Sequence, residues 1–407
     1  MVTTRAKIRK TQNTLKTCFS QASTEDTNHQ STQSGALIGS NDDLLTEILL
    51  RLPVTSVLRF KSVSKHWRWL LSHRRFTLLY DNLSKSPGLF IRGIYIPFDV
   101  ENQSTPPFRT LGFYFDPRGI RILQSCNGLL LCCSDLGQEC ARRYSVFNPT
   151  TKQFAMIPSV PGGQNVRRTI CFMCLAFHPT DCVHFKLVCI RSVEPNGELF
   201  QIQVYSSDTG KWKISCESFS NSMTYRHSGV YWNGAIHWSP SCRNPLYFKI
   251  EGERLHTLPL PGNVASFGGY YDGAIPKYFG ESRGHLHLVE TADHQNRLHL
   301  NVYEMLIDHS EWFVKYQVEL DELSGVFPEM INSYLPPSSP YYYEFDVLDV
   351  VRGEKEEDTF MVVRIPEKIL RYNVHDKSFK EIVSSDAYHF RESQRNVHRY
   401  TETLSSF

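Results

Sequence analysis

The sequence predicts an α+β chain in two unequal parts: a small N-terminal three-helix unit, then an all-β domain of the propeller type with about five or six blades. Three observations carry that expectation. The stretch "NDDLLTEILLRLPVTSVLRFKSVSKHWRWLL", Asn41 to Leu71, is strongly apolar and twice interrupted by turn signals. Downstream, one phrase recurs: an apolar strand, a polar turn, and a second strand bearing an aromatic residue or Leu. Ahead of several of these phrases stands another hairpin with Gly at its turn.

In the helical unit, Asn41 or Ser40 can cap the first helix, and Asp42 and Asp43 suit the positive end of its dipole. At about 100° per residue, Leu44, Leu45, Ile48, Leu49 and Leu52 fall within an arc of about 140°. Pro53 stops that helix, because it lacks an N–H and clashes with the preceding turn. Val54, Val57, Leu58, Phe60 and Val63 carry a second apolar pattern. Ser64 is placed to cap a third short helix holding Trp67, Trp69, Leu70 and Leu71. A unit of about 40 residues rarely stabilises itself alone. Its apolar surface exceeds what three short helices cover, so part of it is expected to meet the next domain or another chain.

The β-phrase is seen in "YSVFNPTTKQFAMIP" (Tyr144 to Pro158), "IQVYSSDTGKWKIS" (Ile202 to Ser215), "LYFKIEGERLHTLPLP" (Leu246 to Pro261), "LNVYEMLIDHSEWFVKY" (Leu300 to Tyr316) and "ILRYNVHDKSFKEIV" (Ile369 to Val383). Aligned on Phe147, Tyr205, Phe248, Tyr303 and Tyr372, the copies are 58, 43, 55 and 69 residues apart. Irregular spacing of about 50 residues suits propeller blades with variable loops, and one blade cannot bury its own faces without neighbours. A β-sandwich with coincidental hairpins is the alternative. The Asn-Gly pairs at Asn127-Gly128 and Asn233-Gly234 are hairpin signals. "RGEKEED", Arg352 to Asp358, reads as a solvated hairpin tip, and "SDAYHFRESQRNVHRY" near the end as a closing strand plus a loose tail.

With 44 Lys and Arg against 42 Asp and Glu, the formal net charge of the 407 residues is only +2, which argues against a nucleic-acid or membrane-surface protein. No window approaches the ~20 apolar residues of a membrane helix. Eleven Cys, an odd number without a secretory leader pattern, read as reduced thiols in the nucleus and/or cytoplasm. The polar residues 1–35 read as a disordered arm. Its "RAKIRK" keeps a weak nuclear-import patch open, and the absence of acids before Glu25 a transit peptide, beside a plain tail. The domain boundaries expected are 1–35 for the arm, 36–80 for the helical unit, 81–110 for a linker and entry strand, 111–385 for the β-domain and 386–407 for a tail.

Asn41 to Leu71 resembles the F-box, through "DDLL-x-EIL-x-RLPV", "S-x-LRF" and "VSK-x-W". "SCNGLLL" followed by "V-x-NPTT", with the repeats after it, resembles the plant F-box-associated domain, a kelch-like β-propeller relative. Together the two resemblances cover about residues 36 to 385. They imply substrate reception for a Skp–cullin–F-box ubiquitin ligase, whose F-box docks on the Skp adaptor and through it on cullin and RING subunits. The residues carried over as the adaptor contact are Leu44, Leu45, Ile48, Leu49, Leu52, Pro53, Val54, Leu58, Val63 and Trp67. One departure stands out: many F-boxes open with a Leu-Pro pair, and here Ser40-Asn41 fills that place.

The features that look chemical have plainer readings. "ICFMCLAFHPTDCVH" brings Cys171, Cys174, His178, Cys182 and His184 close in sequence. Cys171 and Cys174 lie three apart in an apolar strand, so they face opposite sides, and buried thiols are expected rather than a metal. Asp208-Thr209-Gly210 reads as a hairpin turn, for no second copy supplies the partner carboxylate of an aspartic protease. His285 and His287 share a strand face without an acid at ligand spacing. No catalytic residue, metal or cofactor is expected. A target protein is expected to meet the loops of the β-domain, with Tyr341, Tyr342 and Tyr343 as candidate contacts. The alternative is a propeller enzyme, glycan-acting or oxidising, with a helical appendage.

Overall fold

The structure, a computed structural model, describes residues 38–83, 87–91, 93–98, 120–134, 143–162, 169–181, 184–193, 199–220, 229–239, 245–262, 276–292, 296–339, 341–384 and 397–407. The N-terminal arm expected over 1–35 lies outside these residues, as do Cys182 and all of "SDAYHFRESQRN". The chain divides into two compact units, Met1–Arg51 and Leu52–Phe407.

The first unit holds α1 (Asp42–Leu50), which begins where a cap is available: Asn41 Oδ1 accepts the N–H groups of Asp43 and Leu44, both at 3.1 Å. The second unit opens with α2 (Val54–Phe60), α3 (Lys65–Ser72) and α4 (Arg74–Asn82). Ser64 Oγ caps α3 by accepting the Trp67 N–H at 3.0 Å. The fourth helix goes beyond the three expected. It starts at His73, whose Nδ1 accepts the Arg75 N–H, and it buries Phe76 and Tyr80. The Tyr80 hydroxyl donates to the Leu52 carbonyl at 3.0 Å, tying α4 back to the start of the unit.

The β-domain is a six-bladed propeller. β1 (Gly88–Ile91) and β2 (Ile94–Pro97) form a hairpin. The first four-stranded blade is β3 (Ile120–Cys126), β4 (Leu129–Ser134), β5 (Tyr144–Asn148) and β6 (Gln153–Met156). The second is β7 (Ile170–Ala176), β8 (Lys186–Ser192), β9 (Leu199–Ser206) and β10 (Lys211–Ser220). The third is β11 (Val230–Trp232), β12 (Ala235–His237), β13 (Leu246–Lys249) and β14 (Arg254–Thr257). The fourth is β15 (Tyr278–Ser282), β16 (His285–Thr291), β17 (His299–Met305) and β18 (Trp312–Glu319). The fifth is β19 (Asp346–Val351), β20 (Phe360–Ile365), β21 (Lys368–Asn373) and β22 (Phe379–Ser384). The sixth blade joins the two ends of the domain: β23 (Val397–Tyr400) pairs antiparallel with β1, Gly88 opposite Tyr400 and Ile91 opposite Val397.

The five aromatic anchors of the repeat, Phe147, Tyr205, Phe248, Tyr303 and Tyr372, all fall on the third strand of their blade. The two Asn-Gly pairs turn between first and second strands, with Asn127 and Asn233 both at φ 46°. Asp208-Thr209-Gly210 is a hairpin turn with Gly210 at φ 65°.

Each blade buries one face against the next. Leu131 and Val146 meet Leu175 and Leu187 between the first two blades, and Val188 and Ile202 meet Ile236 and Trp238 between the next two. Leu300 and Val302 meet Val350 and Leu370 between the fourth and fifth. Polar side chains reinforce these seams. Trp212 and Trp312 donate their indole N–H to the carbonyls of Pro158 and Pro259, and the Tyr372 hydroxyl donates to the Glu319 carbonyl at 2.7 Å. Each therefore reaches a carbonyl at the outer end of the preceding blade. Between the third and fourth blades, Trp232 Nε1 donates to Gly284 O at 2.7 Å, and His237 Nε2 meets His309 Nε2 at 2.9 Å. Two imidazoles share that bond, so one nitrogen donates and the other, carrying no proton, accepts.

The last residues are packed, which corrects the expectation of a loose tail. Thr403, Leu404 and Ser405 are buried. Asn148 donates its amide to the carbonyls of Thr403 and Ser405, Thr150 shares a 2.7 Å hydrogen bond with Tyr400, and Phe407 packs edge-on against Phe185. Gly128 is required on two counts: its φ is +85°, and a Cβ there would lie 2.3 Å from the Thr403 side chain. "RGEKEED" is the solvated hairpin tip expected, with Glu354 to Asp358 exposed between β19 and β20, and only its first residue turns inward. The Arg352 side chain is 13% exposed and spans Glu304 and Glu356.

Ring closure is also ionic. Arg399 on β23 lies 3.6 Å from Glu281 of the fourth blade and 3.6 Å from Asp349 of the fifth. Arg399→Met leaves both carboxylates without their cation. It should cost about 3–5 kcal/mol in urea unfolding of the full chain, and adding Glu281→Gln and Asp349→Asn should restore most of it.

Burial, with the neighbouring His309 ring adding to it, lowers the His237 pKa to about 3. Burial likewise lowers His287 to about 3, against the opposing pull of Glu304. The unfolded chain protonates these rings at a pKa of about 6.5 while the folded chain does not, so stability is full above that pH and falls as the pH drops toward 3. Each ring contributes up to about 1.4 kcal/mol per pH unit in that window. Melting temperatures taken between pH 8 and pH 4 should fall below about pH 6.5, with a shallower fall in His237→Phe.

Candidate interaction surfaces

The expected adaptor-contact residues separate by burial. On α1, Leu44 and Ile48 are 50% and 44% exposed, one turn apart, while Leu45 and Leu49 are buried. In the second unit Val63 is 59% exposed and Pro53 is exposed; Leu52, Leu58 and Trp67 are half-buried, and Val54 is buried. Periodicity could not make this division, because all five α1-stripe residues lie within one arc. Trp69 joins the exposed set, 58% exposed and flanked by the rings of His66 and His73 at 6.3 and 5.4 Å. The signal for it was in the sequence: Trp69 falls roughly opposite the buried Leu71 on α3.

The helix α4 meets one face of the propeller. Arg74 donates to the Thr180 carbonyl at 3.0 Å, and Thr180 lies in the connection from first to second strand of its blade. At the other end of α4, Asp81 accepts the N–H of Leu404 and the hydroxyls of Thr403 and Ser405. In antiparallel blades the first-to-second and third-to-fourth turns leave by one edge, and the remaining connections leave by the other. The helix therefore covers the first edge, and the blade-to-blade connections emerge on the opposite face.

The central channel, about 1000 Å³, is lined by the inner strands and by Asp81. Its polar groups hold one another across three blades: Tyr278 donates to Asp349 Oδ1 at 2.7 Å, and Arg399 stands between Asp349 and Glu281. Burial raises the Asp349 carboxyl above its ordinary range against the pull of Arg399.

His285 and His287 do have an acid, supplied by the neighbouring strand. Glu304, opposite His287 in register, lies 2.7 Å from His285 and 3.8 Å from His287. Arg352 fills the remaining side of that carboxylate, where a cation would bind. Sequence spacing on one strand could not reveal a partner that register brings from another. Cys171 is exposed and Cys174 buried, while His178 pairs with Asp181 and His184 with Asp208, so these four are not gathered. Among the described residues no group of three or more His, Cys, Asp or Glu could hold a metal, and no helix is long and apolar enough to cross a membrane.

On the face away from α4, the connection from β18 to β19 carries α5 (Asp321–Val326), a 3-10 turn at Pro328–Met330 and a hairpin in which Ile331 bridges Tyr343. Leu320, Leu323, Met330 and Phe345 anchor it in the core. Of the three candidate tyrosines, Tyr341 is 73% exposed, and Tyr342 and Tyr343 are half-buried. Sequence reasoning missed Tyr334, which is 97% exposed at the same hairpin tip.

Comparison with known proteins agrees with both parts of the chain. Residues 41–78 match the F-box domain. Residues 108–336 match the β-propeller of F-box protein At3g26010-like proteins. F-box protein At5g07610 of Arabidopsis thaliana is 32% identical over 383 residues, covering 86% of this chain and 87% of that protein. F-box protein At5g49610 of the same plant is 28% identical, covering 73% and 83%. The putative F-box/kelch-repeat protein At1g15680, also from Arabidopsis thaliana, is 25% identical, covering 56% and 62%. A helical F-box region followed by a six-bladed propeller, matched over most of its length, makes this chain a member of the F-box proteins with an At3g26010-like β-propeller.

Proposed function

We propose that the protein is the target-recognition subunit of a Skp–cullin–F-box ubiquitin ligase, non-catalytic itself. The F-box binds a Skp-type adaptor, and the propeller binds the protein to be modified. The observation that carries this reading is the exposure of large aliphatic side chains on the F-box: Leu44, Ile48 and Val63 stand in solvent beside buried neighbours. Large exposed apolar side chains such as these mark surfaces that another protein covers. The adaptor contact is then made by Leu44, Ile48, Pro53 and Val63, flanked by Leu52, Leu58 and Trp67. Leu45, Leu49 and Val54 support the helices from within.

The division of the propeller's faces supports the second half. Asp81 and Arg74 fix α4 on one face, which leaves the blade-to-blade connections on the other free to receive a target. Such a subunit accelerates modification by raising the effective concentration of target near the ubiquitin-carrying enzyme, and needs no reactive group of its own. A propeller enzyme would instead need titratable groups free to reach a substrate. In this channel Tyr278, Asp349, Arg399 and Glu281 are engaged with one another.

Leu44→Asp and Ile48→Asp should each abolish capture of a Skp adaptor in a pull-down. Both positions face solvent, so stability should change by less than about 0.5 kcal/mol. Leu49→Asp, at a buried position, should lower the melting temperature as well. Normal adaptor capture by both exposed-site variants would overturn the reading.

A further inference from the structure

We infer that the connection between the fourth and fifth blades is the target-binding surface of the propeller, and that it takes an extended segment rich in arginine and lysine. This rests on the proposed role as a substrate receptor and gives the chemical class of its target. Three observations carry it.

The first is exposure. Tyr334 at 97% and Tyr341 at 73% stand at one hairpin tip, with the exposed Pro336 and Pro337 between them in sequence. The tip is held in place. Asn332 N–H donates to Tyr342 O at 2.8 Å, Glu344 N–H donates to Met330 O at 2.7 Å, and Leu323 and Met330 are fully buried beneath. Rigid aromatic side chains on an anchored loop offer contact area at small entropic cost.

The second is charge. From Tyr316 to Val351 the chain holds seven carboxylates (Glu319, Asp321, Glu322, Glu329, Glu344, Asp346 and Asp349) and no Lys or Arg. Neighbouring elements neutralise several of these: Lys377 pairs with Glu319, His299 with Asp321, Lys368 with Glu329 and Arg364 with Asp346. Glu322 and Glu344 are exposed, and neither forms an ion pair with a described residue. Asp349 lies in the channel against Arg399, so the connection keeps these two exposed carboxylates, Glu322 and Glu344, and carries no cation of its own, which disfavours nucleic acid and favours a basic peptide.

The third is that aromatic rings of this connection already receive cations. Lys368 Nζ lies 4.8 Å above the Phe327 ring, and Lys277 Nζ lies 4.5 Å above the Phe345 ring. Tyr334 and Tyr341 present the same chemistry outward, where a guanidinium or ammonium from another chain can stack.

The test uses the full-length protein and a fluorescent ten-residue peptide of alternating Arg and Ser, with a Glu-Ser peptide as its mirror in charge. Fluorescence anisotropy should show binding of the Arg-Ser peptide alone. Tyr334→Ser with Tyr341→Ser should weaken it about tenfold, as should Glu322→Gln with Glu344→Gln. Glu354→Gln with Glu357→Gln, on the opposite face, should change it by less than about twofold. Melting temperatures should be unchanged throughout, since all of these side chains are exposed. Unchanged binding in the tyrosine pair, or equal weakening in the opposite-face pair, would overturn the assignment. Tightening of about tenfold on deletion of residues 1–35 would also overturn it, by giving the surface to the chain's own basic arm. Adaptor capture by the same variants is scored separately. Loss of peptide binding with adaptor capture intact concerns this surface alone, whereas absent adaptor capture in the unsubstituted protein concerns the receptor role.

Discussion

Everything in the β-domain depends on one antiparallel pairing, β1 with β23, and on the arginine that accompanies it. A propeller blade has apolar faces on both sides, so an open ring would leave two of them in water. Here the ring closes when Val397–Tyr400 completes a sheet begun at Gly88. Arg399 then reaches past its own blade to Glu281 and Asp349, so that the closing strand holds the two blades before it as well as the hairpin beside it. A buried cation between two acids is a poor source of stability compared with apolar residues of similar size, but removing one member leaves the others without compensation.

The two motifs on which the family resemblance rests acquire a physical role in this light. "NPTT" supplies Asn148, whose amide holds two carbonyls of the terminal segment, and Thr150, which meets Tyr400. "SCNG" supplies Gly128, whose missing side chain makes room for Thr403. Both are receptacles for the end of the chain, and neither points to a ligand. The same segment is gripped from the other side by Asp81 of α4, so a few residues join α4 to the first blade.

Much of this fold was legible because short-range chemistry wrote it. The caps at Asn41 and Ser64, the stop at Pro53 and the Asn-Gly turns are decided by residues within a few positions of one another. The third-strand aromatics repeat because each blade solves the same burial problem. An entry strand and a closing strand were legible, but their pairing was not, because nearly the whole domain separates them. Glu304 was missed as the partner of His285 and His287 for the same reason, since pairing register brings it there from another strand. Among the helical residues proposed for an adaptor contact, the apolar type was legible and the burial was not. Leu44 and Leu45 are adjacent, equally apolar and within one helical stripe, yet one faces solvent and the other is buried.

Closure from both ends has a consequence for how the protein is made. During synthesis β1 emerges long before its partner, for Ile91 and Val397 are 306 positions apart. Through that interval the hairpin has a bare hydrogen-bonding edge, and the first blade lacks a neighbour on one side. Asp81 waits equally long for Thr403, Leu404 and Ser405. A nascent or truncated chain without residues 397–407 therefore has an unsealed sheet and an untethered α4 together. Such a chain would expose sticky edges to chaperones and proteases before its helix could be held against the propeller. The same eleven residues thus seal the sheet and hold α4, so neither can be complete without the other.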